Sequence, residues 1–123
     1  MPFPSTHPAL ERALQAQGYS EPTPVQAAVL AEEANGRDLL VSAQTGSGKT
    51  VAFGLAAGPT LLGDAPHFSR AEAPLALVIA PTRELAMQVS RELTWLYKEA
   101  GARVVNCVGG MDPRAEQRAL SAG

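Results

Sequence analysis

One segment constrains this chain more than any other: Ala43-Gln44-Thr45-Gly46-Ser47-Gly48-Lys49-Thr50, entered from the apolar run Asp38 to Ala43 and left through the helix-forming stretch Lys49 to Leu62. It fits the phosphate-loop pattern Gly-x-x-x-x-Gly-Lys-[Ser/Thr], with Ala43 in place of the first glycine. A polyphosphate can be stripped of water only where several N–H donors converge. Gly46 and Gly48 let the backbone turn its amides inward with no Cβ in the way, so Gln44, Thr45, Gly46, Ser47 and Gly48 are the candidate cradle. The following helix adds its N-terminal donors and partial positive charge. Lys49 is placed to reach the β and γ phosphates, and the Thr50 hydroxyl to ligate Mg²⁺. The alternative is a bare Gly-x-Gly turn joining strand to helix, which does not call for Lys-Thr at this spacing. The loop alone leaves base, reaction and partner open.

The remaining chain alternates apolar runs with helical patterns. Thr6-His7-Pro8 with Leu10, Ala13 and Leu14, closed by Gly18, predicts a short first helix, and Thr23-Pro24-Val25-Gln26 predicts a second with capping-box spacing. Residues 75–80 and 103–108 are continuous apolar or mostly apolar runs of strand length, like 38–43. A helix is expected between them, with Leu85, Val89, Leu93 and Leu96 on one buried face, and a last helix is expected over Asp112 to Leu120. Residues 63–74 have no periodicity and read as an exposed connection, while the prolines are expected mostly at element edges. Continuous strands alternating with helices imply an α/β fold with a parallel sheet covered on both faces.

Ten Lys and Arg against twelve Asp and Glu leave a formal charge of −2, which excludes a polybasic nucleic-acid arm and makes any polyanion binding local. With 46% hydrophobic and 18% charged positions, a disordered chain is excluded. Cys107 is the sole cysteine, so no internal disulfide forms, and with His7 and His67 it is too few for a four-ligand zinc site. No signal segment or membrane span is recognisable, and a reducing cytoplasm is the expected setting.

Four motifs stand in order: Gly18-Tyr19-x-x-Pro22-Thr23-Pro24-Val25-Gln26, then AQTGSGKT, then Pro81-Thr82-Arg83-Glu84-Leu85-Ala86, then Gly109-Gly110. In this order and spacing the chain resembles the DEAD-box ATP-dependent RNA helicases over nearly its whole length. The resemblance implies the P-loop NTPase, RecA-like fold, with residues 1–36 as N-terminal helices carrying the Q motif and 37–123 as the first part of the ATP-binding domain. It implies ATP and Mg²⁺ as ligands and Gln26 on the adenine edge, with Tyr19 in the nucleotide-binding segment. It further implies Pro81, Thr82, Arg83, Gly109 and Gly110 on the RNA sugar-phosphate backbone. Phe3 is the one candidate for the family's adenine-stacking aromatic, at a spacing to Gly18 that departs from the pattern.

Each assignment has a plainer competitor. Gln26 at the third helical position can simply close the capping box on Thr23, and Tyr19 can pack on the first helix. Arg83 can be a solvated charge and Gly109-Gly110 a tight turn. Trp95 and Cys107 are expected in the core, and His7 and His67 at the surface or in caps. The family's Asp-Glu-Ala-Asp segment does not occur in the sequence, and neither does a second RecA-like lobe, so the chain reads as the leading part of a first lobe. Two functions follow: the ATP-binding segment of an RNA helicase, or a non-hydrolysing nucleotide- or RNA-binding module that self-associates through exposed sheet edges.

Overall fold

The computed structural model describes residues 7–31, 34, 36–43, 48–63, 65, 67–69, 73–107 and 114. Helix α1 spans Pro8–Ala16, α2 Pro24–Val29, α3 Lys49–Leu62 and α4 Arg83–Leu96. The last expected helix lies outside the described residues except for Arg114, which is helical.

Each start has a local cause. His7 caps α1: Nδ1 accepts from the Ala9 N–H at 3.1 Å, so Nε2 carries the ring proton and donates to the Ala65 carbonyl at 2.7 Å. This neutral tautomer ties α1 to the stretch after α3. Gly18, with φ +79°, closes α1, and the Tyr19 N–H reaches the Leu14 carbonyl at 2.9 Å. Thr23 caps α2, and Thr82 caps α4 by accepting from the Leu85 N–H at 3.1 Å. Pro59 lies inside α3 rather than at an edge, so the Leu55 carbonyl loses its usual helical donor there.

The core lies where α1, α3 and α4 meet. Ala9, Leu10, Ala13 and Leu14 of α1 pack with Val51, Leu55 and Leu62 of α3 and with Leu96, Tyr97 and Ala100 at the end of α4. Contact is close because α3 presents glycine here. A Cβ on Gly54 would stand 2.7 Å from Leu96 Cδ2, and one on Gly58 would stand 2.6 Å from Leu10 Cδ1. The Tyr97 hydroxyl donates to the Gly54 carbonyl at 2.5 Å, joining the two helices by a buried hydrogen bond.

Two expectations need correction, and a third has no counterpart among the described residues. The stripe on α4 is only partly covered: Leu96 is buried, Val89 and Leu93 are half-buried, and Leu85 is 39% exposed, because the core is gathered at the C-terminal end of this helix. Cys107 is exposed and so is no core residue, while Trp95 is half-buried and packs against the core at its edge. Among the described residues no strand forms, and residues 38–43, 75–80 and 102–107 are neither helix nor strand. Leu77 and Ile79 are 84% and 86% exposed. A continuous apolar run marks a segment that needs cover on both faces, but the partner for its N–H and C=O groups must come from elsewhere in the chain.

Burial pushes the Tyr97 phenol up to about 12 from 10.0. Between these values the folded chain holds a proton that the unfolded chain has lost. The contribution to stability is therefore complete below pH 10 and falls as pH rises toward 12, by at most about 1.4 kcal/mol per pH unit. Denaturant unfolding followed at Trp95, the sole tryptophan, is expected to show this alkaline loss. Tyr97→Phe should abolish it and cost about 0.5–1.5 kcal/mol at neutral pH. Identical alkaline profiles for the two chains would refute the assignment.

Candidate functional site

The centre of the candidate site is where α2 meets the start of α3. Pro24 at the first position of α2 presets the helical φ, and Thr23 and Gln26 complete a reciprocal capping box. The Gln26 N–H donates to Thr23 Oγ1 at 3.4 Å, and the Thr23 N–H donates to Gln26 Oε1 at 2.9 Å. Gln26 also donates from Nε2 to the Gly48 carbonyl at 3.3 Å. At 5% exposure it is a buried amide whose oxygen and nitrogen both have partners. The plainer competitor for Gln26 is therefore present, and with it a bond from the same side chain to the residue before Lys49.

Gly48 is required there twice over. Its φ of +86° is left-handed, and a Cβ would stand 2.3 Å from Gln26 Nε2 and 3.3 Å from Thr23 Oγ1. The space a Cβ would fill is the space Gln26 uses. Lys49, half-buried, donates from Nζ to the Ala43 carbonyl at 2.7 Å, so its ammonium spans the two ends of the candidate phosphate loop. Thr50 is half-buried in the first turn of α3. Among the described residues no cluster of three or more His, Cys, Asp or Glu could hold a metal ion, so Thr50 is the one expected Mg²⁺ ligand among them. Gln44, Thr45, Gly46 and Ser47 lie outside the described residues.

The residue types suit a nucleotide polyphosphate: a left-handed glycine, the first turn of a 14-residue helix, one ammonium and one hydroxyl-bearing residue lie next to a buried amide. Tyr19 does not stand alone beside them. It is 49% exposed and its ring stacks on Trp95 with centroids 5.6 Å apart and planes at 25°. Pro81, Thr82 and Arg83 are exposed at the start of α4, a helix that packs on α3. Gly109, Gly110 and Phe3 lie outside the described residues.

Sequence reasoning passed over Gly54 and Tyr97, which set the distance between α3 and α4, and Gly58, which lets Leu10 of α1 come close to α3. A signal was there: two glycines four apart inside a helical stretch cost helix propensity and are retained where another chain segment comes close.

The family model for DEAD/DEAH box helicases matches residues 23–123. The chain is 46% identical to the ATP-dependent RNA helicase DeaD of Escherichia coli (strain K12) over 117 residues, covering 94% of this chain and 18% of that protein. It is 44% identical to the probable ATP-dependent RNA helicase DDX46 of Danio rerio, covering 80% of this chain and 10% of that protein. A crystal structure of the RNA helicase Prp28 from Chaetomium thermophilum bound to ADP superposes with a TM-score of 0.76 at 38% identity, over 92% of this chain and 27% of that one. The chain thus spans about a fifth or less of the two curated relatives and about a quarter of the solved structure. With a buried glutamine bonded to the glycine that opens the lysine-bearing helix, and a family match over residues 23–123, this chain belongs to the DEAD/DEAH box helicases.

Proposed function

We propose that this chain is the ATP-binding segment of an ATP-dependent RNA helicase, taking its place in a parallel, RecA-like sheet with helices on both faces. The observation that carries the reading is the bond from Gln26 to the Gly48 carbonyl. It sets the candidate base-reading side chain against the start of the candidate phosphate-binding helix, so that one ligand can touch both. In this reading residues 1–36 carry the Q motif and 37–123 begin the ATP-binding domain, in a cytoplasmic protein.

Gln26 Oε1 keeps a second lone pair and Nε2 a second proton beyond the bonds already made, and these are the acceptor and donor offered to adenine. Guanine keeps the N7 acceptor but places the O6 acceptor where adenine has its N6 donor, so it loses the bond to Oε1. Lys49 exchanges the Ala43 carbonyl for phosphate oxygens, a charge-assisted bond in place of a neutral acceptor. Residues 44–48 are the candidate cradle for the polyphosphate, and the Thr50 hydroxyl would hold Mg²⁺. ATP supplies the phosphoanhydride bond and Mg²⁺ neutralises its charge. Gln26, Lys49 and Thr50 bind and neutralise a nucleotide but none of them orients water or stabilises the leaving side, so these residues by themselves account for binding without turnover.

Pro81, Thr82, Arg83, Gly109 and Gly110 form the proposed RNA face. Thr82 Oγ1 accepts from the Leu85 N–H, which leaves its own proton to donate to a phosphate oxygen. Such contacts position a strand without reading its bases. Exposed Leu40, Leu77 and Ile79 need cover, which the rest of the sheet supplies in the whole protein and self-association supplies in the isolated chain.

Calorimetry with Mg·ATP is expected to show binding that Lys49→Ala weakens by about 10- to 150-fold. Gln26→Ala, which removes the acceptor that tells the adenine N6 donor from the guanine O6 acceptor, should narrow the preference for ATP over GTP. Equal affinity of the unsubstituted chain for ATP and GTP would overturn the role of Gln26. In a chain extended through both lobes, Arg83→Ala should reduce the log–log salt dependence of RNA binding by about 0.7, the loss of one phosphate contact. Phosphate release by the 123-residue chain, abolished by Lys49→Ala, would disprove binding without turnover.

A further inference from the structure

Three consecutive residues at the C-terminal end of α4 hold the two segments that make up the proposed nucleotide site. Trp95 stacks on Tyr19, four residues before the Thr23 cap of Gln26. Leu96 fills the space that the missing Cβ of Gly54 leaves on α3. Tyr97 donates to the Gly54 carbonyl, five residues beyond Lys49. We infer that Trp95 and Tyr97 are positioning residues for nucleotide binding: Tyr97 sets the phosphate-binding helix, and Trp95 sets the base-reading segment. The inference rests on the reading of Gln26, Lys49 and Thr50 as nucleotide contacts.

The two grips differ in what they constrain. Tyr97 is buried, its backbone N–H closes α4 on the Leu93 carbonyl, and its ring meets Phe68 at 6.2 Å. A side chain held in this way leaves its hydroxyl little freedom, so the bond to Gly54 fixes how far α3 is rotated and slid along α4. Lys49 and Thr50 lie about 7 Å further along the same rigid helix and move with it. Trp95 acts on a different element. Residues 19–23 are anchored at one end by the Tyr19 stack and the Tyr19 N–H to Leu14 bond, and at the other by the capping box. Loss of the stack frees the first end and loosens the segment that delivers Gln26.

The consequences are separable. Tyr97 acts on phosphate contacts, which every nucleotide shares, whereas Trp95 acts on the base contact, which distinguishes adenine from guanine. A merely structural role would lower stability without dividing affinity from selectivity.

The test uses calorimetry of the whole chain with Mg·ADP and Mg·GDP, with folded fraction checked by circular dichroism at the titration temperature. Tyr97→Phe keeps the ring and is expected to weaken both ligands alike by about two- to tenfold, with the ADP to GDP ratio unchanged. Trp95→Leu and Tyr19→Leu should each reduce that ratio by about two- to fivefold, with little change for GDP. Leu14→Ala, a buried substitution in α1, should lower the melting temperature and leave both affinities of the folded chain alone. Unchanged affinities in Tyr97→Phe and an unchanged ratio in Trp95→Leu, with Mg·ADP binding intact in the unsubstituted chain, would overturn the inference alone. A parallel loss of both ligands in Leu14→Ala would also overturn it. Failure of the unsubstituted chain to bind Mg·ADP would overturn both this inference and the function it rests on.

Discussion

The absence of a side chain at Gly54 lets α3 lie against α4, and much of the described structure depends on that approach. Leu96 occupies the space, and the Tyr97 hydroxyl reaches a backbone carbonyl that a bulkier residue would hold out of range. A helix interior does not favour glycine, which costs about 1 kcal/mol there relative to alanine. What offsets that cost is burial: Leu55, Leu62, Leu96 and Tyr97 pack around the contact, and α1 closes over it with Leu10 and Leu14. Gly58 repeats the device one turn on, against Leu10.

A second close approach, between Gln26 and Gly48, depends on the same logic at a polar contact. The buried amide satisfies its own helix and the residue that opens α3, so local capping and tertiary docking share one side chain. The capping role that the sequence offered for Gln26 is present, and the base-reading role proposed for it would use the same amide. Capping fixes the amide's orientation, and a fixed amide with donor and acceptor capacity to spare is what base recognition requires. Lys49 likewise has a partner of its own in the Ala43 carbonyl, so the cation is held in place by the loop it serves.

The helical starts were legible because each is written locally: Thr23 with Gln26, Thr82 before Arg83, and Pro8 after His7 satisfy N–H groups within a few residues. The phosphate-loop motif is likewise a local pattern, since glycine spacing and a following Lys-Thr are demands of one short segment. Coverage of α4 was not. Periodicity marks an apolar stripe but not which part of it meets a neighbour, and Leu85 and Leu96 look alike in sequence while only Leu96 is buried. The apolar runs at 38–43 and 75–80 carry the same ambiguity, because strand pairing is non-local and the run does not name its partner.

By itself the sequence determined the helices, the candidate nucleotide-binding residues and the family, because caps, glycine spacing and short motifs act over a few residues and survive any change in packing. Tertiary structure alone decided that Trp95, at the edge of the core, stacks on Tyr19, that Tyr97 rather than any motif residue ties α4 to α3, and that Gln26 bonds Gly48. Tyr97 and Gly54 are 43 residues apart in the chain, and Gln26 and Gly48 are 22 apart. Nothing local to either partner specifies the other. Such contacts follow from how closely two helices can approach, which depends on the side chains of both at once.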